Sequence, residues 1–216
     1  MLIYLNEQPE QIEPGTGLLA LRDQKKPAAD LLIVNGYPAG GDQILKEGDR
    51  VVLIRRGEKP TAEELERLMM ARHTPGVHEK IKHSCVGIAG VGGLGSNVAI
   101  ALARVGIGQL ILVDFDLVEP SNLNRQQYFI DQIGLPKVEA LKENLLRINP
   151  GVKVDAYCRR ITAENLAELF APVDVLVEAF DAAEQKALLT SNFLSKVADT
   201  PLVAASGMAG YEPSNS

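Results

Sequence analysis

The stretch Cys85-Val-Gly-Ile-Ala-Gly-Val-Gly-Gly-Leu-Gly-Ser96 decides how the chain folds. Cys85–Ala89 reads as a buried strand, Gly90–Gly95 is a GxGxxG turn, and Ser96–Val105 reads as a helix. A glycine pattern that follows a strand and opens a helix is the phosphate-binding turn of an open α/β sheet. Gly90 is expected to make the tight turn. Gly92 and Gly93 let a phosphate approach the backbone, and Gly95 lets the helix pack on the strand. The helix N-terminus then offers free N–H groups and a partial positive charge. Asp114 follows the next strand, Gln109–Val113, and lies 19 residues after Gly95. A carboxylate there is expected to accept hydrogen bonds from ribose hydroxyls. The alternative is a glycine turn that merely packs tightly.

Downstream, apolar strands alternate with helical patterns. Pro136–Ile148, Thr162–Phe170 and Ala182–Ser195 read as helices, and Val152–Cys158, Val173–Ala179 and Leu202–Ala205 as strands. This alternation predicts a Rossmann-like, mostly parallel sheet with helices on both faces. Upstream, Met1–Asn6, Asp30–Asn35 and Arg50–Arg55 read as strands and Leu18–Gln24 as a short helix. That order predicts a small α+β domain at 1–57, too small to be stable without leaning on the rest of the chain. Residues 58–80 form a helical linker, opened by a capping box at Thr61 and Glu64 with Leu65, Leu68 and Met69 on one face. The α/β domain then spans 81–216.

Composition sets outer limits. The 216 residues are 46% hydrophobic and 23% charged, an ordinary globular balance. Twenty-eight acidic against 22 basic residues give a net charge of −6, which argues against a nucleic-acid ligand. No apolar run is long enough for a membrane span, and the N-terminus lacks signal-peptide character. Two cysteines without CxxC spacing argue for a reduced, cytoplasmic protein. Cys85 is expected in the core and Cys158 in a structural position on its strand, although Arg159 and Arg160 adjoin it. His73, His78 and His83 are spaced too widely on the chain to suggest a metal site.

After Asp114 the sequence runs Asp114-Phe-Asp-Leu-Val-Glu-Pro-Ser-Asn-Leu-Asn-Arg-Gln126, a long polar connection. With GxGGLGS before it, Gly134–Glu139 (GLPKVE) and Arg147–Pro150 (RINP) after it, and an acidic residue beyond the fourth strand, the region from about Arg72 to Gly210 resembles the ThiF/MoeB family. These are adenylyltransferases related to ubiquitin-activating enzymes. Residues 1–57 resemble the β-grasp sulfur carrier ThiS, through Pro14–Gly17, Val34–Pro38 (VNGYP) and Glu47–Ile54 (EGDRVVLI).

The resemblance implies ATP and Mg2+ as cofactors, and adenylation of the C-terminal glycine of a ThiS-like sulfur carrier protein in thiamine biosynthesis. It assigns Gly93 to the nucleotide, Asp114 to the ribose, and Ser121 to Arg125 to a phosphate-binding loop with Asn122 and Arg125 as chief contacts. Lys137 would neutralise phosphates and Asp181 hold Mg2+, although Asp181 could equally cap the following helix. Arg125 and Lys137 could instead be solvated charges. A homodimer is implied, with Arg72 lent to the partner's site, although Ala71–Thr74 departs from the family's RYxRQ. The family continues beyond Gly207–Gly210 with further strands, so the C-terminal part reads as incomplete. A carrier must end in a free Gly-Gly carboxylate, whereas here Gly57 runs on into Glu58, so the fused unit is expected to be no substrate and to pack against the large domain. Rival readings are an activating enzyme for another carrier or for tRNA modification, a non-catalytic docking module, and an NAD-dependent oxidoreductase. The polar loop after Asp114 speaks against the last.

Overall fold

The computed structural model describes residues 1–61, 63–66, 76–197 and 199–205. They divide into two compact units, Met1–His73 and Thr74–Ser216.

The first unit is a five-stranded mixed sheet, ordered β2-β1-β5-β3-β4. Its strands are β1 (Leu2–Leu5), β2 (Gln8–Gln11), β3 (Leu31–Val34), β4 (Tyr37–Pro38) and β5 (Arg50–Ile54), with helix α1 at Leu18–Lys25. Ile3, Val34, Val51 and Leu53 bury one face of the sheet against Leu18 and Leu21 of α1. Both outer strands escape the sequence reading. β2 is polar and contains Pro9, which an edge strand tolerates. β4 follows Asn35-Gly36, which takes the left-handed conformations of a type I′ hairpin turn (φ 53° and 87°). The chain leaves β5 through a turn closed by the Glu58 N–H on the Arg55 carbonyl (3.2 Å). Two ion pairs tie that turn down, Arg56 to Asp30 (2.9 Å) and Lys26 to Glu58 (2.6 Å). The Arg56 backbone N–H and guanidinium hold the Asp30 carboxyl below its ordinary value.

Helix α2 is described over residues 63–66. The capping box forms as expected: Thr61 N–H meets the Glu64 carboxylate (2.9 Å), and Glu64 N–H meets the Thr61 hydroxyl (3.2 Å). Leu68, Met69, Arg72, His73 and Gly207–Gly210 lie outside the described residues.

The second unit opens with α3 (Val77–Lys82), then alternates β6 (Cys85–Ala89), α4 (Gly93–Arg104), β7 (Gln109–Asp114), α5 (Lys137–Ile148), β8 (Lys153–Cys158), α6 (Leu166–Leu169), β9 (Val175–Glu178), α7 (Ala183–Lys196) and β10 (Leu202–Ala204). The sheet is wholly parallel, ordered β10-β9-β6-β7-β8. Alternation along β7 shows why both faces are covered. Leu110 and Leu112 pack with Ala99, Ala103, Leu141 and Leu145 from α4 and α5. Ile111 and Val113 pack with Leu166, Phe170, Leu189 and Phe193 on the opposite face. The Rossmann-like expectation therefore holds. Thr162–Phe170 is shorter than expected, because the reciprocal Thr162–Asn165 cap opens only the four-residue helix α6.

The chain builds outward from β6 through β7 to β8, then returns to β9 on the other side of β6. The gap between the carboxyl ends of β6 and β9 is the topological switch point, where open α/β sheets bind ligands.

Candidate functional site

The glycine turn opens onto a cleft of about 530 Å3 at this switch point. Its lining includes Gly90, Gly92, Gly93, Asp114, Asp116, Arg125, Lys137 and Asp181. The four glycines divide by cause. A Cβ on Gly95 would lie 1.9 Å from the Gly90 carbonyl oxygen, so α4 seats on β6 only because that methyl is missing. Gly90 has φ +88°, a conformation that favours glycine, and packs against Phe180. At Gly92 and Gly93 a Cβ would meet only the Gln126 and Arg125 side chains, at 3.8 Å. The protein itself leaves those two positions roomy, which is what a bound phosphate requires.

The turn is fixed from both sides at Val91. Its N–H donates to Asp114 Oδ2 (2.8 Å), and its carbonyl accepts the Tyr128 hydroxyl (2.6 Å). Burial holds the Tyr128 phenol far above its ordinary pKa, so it remains a donor. Asp114 Oδ1 also accepts the Asp116 N–H (2.9 Å). Asp114 therefore shapes the turn first, and only its remaining lone pairs can meet a ribose. Gly93 opens α4, so the first N–H groups of that 12-residue helix face the cleft.

The polar connection folds back on itself before reaching the cleft. Asn122 is buried (7% exposed) and caps a 3-10 turn at Pro120–Asn122, accepting the Glu119 N–H at 3.0 Å. Ser121 donates to the Glu119 carboxylate (3.3 Å). Neither residue lines the cleft; among the described residues their side chains bond within the loop. Arg125 does line it. Its Nη1 donates to the Ser121 carbonyl and to the Asn124 side-chain oxygen, both at 3.0 Å. Among the described residues Arg125 has no carboxylate partner.

Lys137 is the first residue of α5 and is 6% exposed. Its ammonium pairs with Asp116 (2.8 Å), and its N–H donates to the Asp116 carbonyl (2.9 Å). Asp116, which the sequence reading left without a role, is thus what aims Lys137. Asp181 is exposed on the opposite wall. It does not cap α7, whose N-cap is Ala182 with no side-chain bond. Among the described residues Asp181 makes no hydrogen bond or ion pair. A free carboxylate there suits Mg2+ carried in by phosphates, since that ion takes one or two protein carboxylates and keeps phosphate and water oxygens. Among the described residues no cluster of three metal-ligating side chains exists.

The cysteines divide. Cys85 is buried, as expected, and burial pushes its thiol up to about 11. Cys158 lies at the end of β8, as the strand reading places it, and is exposed. His78 is buried in α3 and His83 caps that helix, its Nδ1 2.7 Å from the Glu79 carbonyl. No helix among the described residues is long and apolar enough to cross a membrane.

Comparison with known proteins accords with this geometry. A family model described as ThiF family matches residues 65–212, and one described as ThiS-like ubiquitin matches residues 1–57. A sulfur carrier protein adenylyltransferase of Thermus thermophilus is 38% identical over 126 residues, covering 56% of this chain and 46% of that protein. A tRNA threonylcarbamoyladenosine dehydratase of Bacillus subtilis is 38% identical over 133 residues, covering 61% and 52%. The crystal structure of the E. coli tRNA N6-threonylcarbamoyladenosine dehydratase in complex with ATP superposes with a TM-score of 0.58 at 32% identity, covering 63% of this chain and 56% of that one. The chain thus spans about half the length of these two curated relatives. With the glycine turn, the SNLNRQ loop and the matched span together, the chain belongs to the ThiF family, and a ThiS-like unit precedes its ThiF region.

Proposed function

We propose that the chain binds ATP in the switch-point cleft and adenylates the C-terminal carboxylate of a small ubiquitin-like carrier protein. The observation that carries this reading is the convergence of Gly92, Gly93, Arg125, Lys137 and Asp181 on one cleft. The carrier carboxylate oxygen attacks the α-phosphorus. The bond from that phosphorus to the β-phosphate bridging oxygen breaks, and pyrophosphate leaves with its electron pair. A carboxylate is already ionised, so the step requires no general base. The barrier is electrostatic, because two anions meet and charge builds on the departing group.

The residues divide that task. Gly92, Gly93 and the N-terminus of α4 cradle phosphate, and Asp114 accepts ribose hydroxyls. Ser121 and Asn122 hold the loop that presents Arg125. Arg125 and Lys137 stabilise the charge that moves onto pyrophosphate. Asp181 would hold Mg2+, which when bound neutralises phosphate oxygens. A homodimer, with Arg72 serving the partner's site, belongs to the same proposal.

A ThiS-like carrier of thiamine (thiazole) synthesis is the favoured substrate, because a ThiS-like unit is fused to this chain. The relatives named for tRNA modification favour a second reading, in which the activated group belongs to an RNA-bound substrate. Exchange of labelled pyrophosphate into ATP tests the choice. It should depend on a carrier ending in free Gly-Gly; exchange that ignores such a carrier removes the first reading.

A further inference from the structure

The cleft has an ion pair beneath it that the proposed chemistry does not use. Glu178 closes β9 and is 2% exposed. Its carboxylate accepts two hydrogen bonds from Lys186 Nζ, at 3.1 and 3.0 Å, and one from the Phe180 N–H at 2.7 Å. The third Lys186 donor goes to the Ala205 carbonyl, just past β10 (3.1 Å). Lys186 itself lines the cleft, as do Asp181 and Asp116.

Two consequences follow. The Glu178–Phe180 bond fixes the turn that carries Asp181, and Phe180 in turn packs against Gly90. The pair therefore couples the metal-side wall to the glycine turn. The charges matter as well. Lys137 is matched by Asp116 and Lys186 by Glu178, which leaves Arg125 as the cation without a carboxylate among the described cleft residues. Lys186 is thus a positive charge at the cleft wall whose effect Glu178 cancels.

We propose that Glu178–Lys186 sets the charge of the nucleotide site and positions Asp181, with Lys186 held in reserve by Glu178. This rests on the cleft being a triphosphate site. Glu178→Gln keeps an acceptor for the Phe180 N–H but removes the charge that cancels Lys186. Lys186→Met does the reverse and leaves an uncompensated carboxylate under the phosphates. The two substitutions break the same pair, yet they should move triphosphate affinity in opposite directions, each by about three- to tenfold after screening.

The test is calorimetric titration of ATP–Mg2+ and of inorganic triphosphate into the full chain and its variants, with thermal unfolding measured alongside. The expected result is tighter binding by Glu178→Gln, weaker binding by Lys186→Met, and near wild-type binding by Lys186→Arg and by the double variant. If both single variants weaken binding, the pair is only a structural staple and the proposal falls while the nucleotide reading stands. If Lys186→Met does not fold, Glu178→Gln decides: tightening supports the proposal, and unchanged or weaker binding overturns it. Wild-type protein that binds neither probe removes the triphosphate reading, and this proposal with it.

Discussion

One methyl group added at Gly93 or at Gly95 should have opposite consequences. At Gly95 the new Cβ would stand 1.9 Å from the Gly90 carbonyl oxygen, whereas an ordinary carbon–oxygen contact is about 3.3 Å. Roughly 1.4 Å of separation must be found, and the obstacle is backbone rather than the end of a flexible side chain. Overpacking costs about 1–3 kcal/mol, and a rigid obstacle puts Gly95→Ala near the top of that range. The midpoint of unfolding should fall by about 6–12 °C. At Gly93 the nearest atoms are Arg125 Cγ at 3.8 Å and Cδ at 3.9 Å, and the residue is already helical. Gly93→Ala should leave the stability unchanged or raise it by at most about 1 kcal/mol of helix propensity. It should nonetheless weaken ATP binding about 10–100-fold, because the methyl fills the space left for phosphate. Thermal unfolding and ATP titration of both variants decide the matter. Gly93→Ala binding ATP within about twofold of wild type would show that phosphate does not lie on the turn. An unshifted midpoint for Gly95→Ala would refute the close-approach account.

Further outcomes follow from the same geometry. Arg125→Ala or Lys137→Ala should lower carrier-dependent exchange about 10²–10³-fold while ATP affinity changes much less; an Arg125→Ala rate within about twofold removes its assignment. A thiol reagent at pH 8 should modify Cys158 at once and Cys85 only after unfolding, since Cys85 is buried with its thiol raised to about 11; two fast thiols would contradict this. The raised Cys85 value also carries a sign: its contribution to stability is complete below the ordinary thiol value of 9.0 and should be lost as pH rises from there toward about 11. Residues 1–57 should never be adenylated, because Gly57 is followed by Glu58 and the Arg55–Glu58 turn is tied to Asp30 and Lys26. Intact mass after incubation with ATP and Mg2+ should be unshifted, and a fragment ending at Gly57 with an added AMP would overturn this.

The elements that carry a periodic apolar pattern or a glycine signature were legible before the structure. Cys85–Ala89 and the Thr61–Glu64 cap lie where the residues place them, because each rests on a local rule, whereas the helix after the glycine turn begins at Gly93 rather than Ser96. β2 was hidden because its residues are polar and contain Pro9; an edge strand draws its stability from one partner, not from burial. β4 was missed as well, because Asn35-Gly36, a strong hairpin signal, reads as a simple break when no alternation follows it. The site divides in the same way. Arg125, Lys137 and Asp181 share a cleft, whereas Asn122 and Ser121 spend their side chains within the loop. Asp116, Tyr128, Glu178 and Lys186 act through contacts with residues 8 to 37 positions away, which no local pattern announces.

The central claim is that this glycine turn serves a triphosphate and not a dinucleotide. Titration calorimetry of the full chain with ATP–Mg2+ and, separately, with NAD tests it most directly. Saturable ATP binding that weakens in Asp181→Ala when Mg2+ is the added metal, with no heat from NAD, is the predicted result. Micromolar NAD binding with no ATP binding would contradict it.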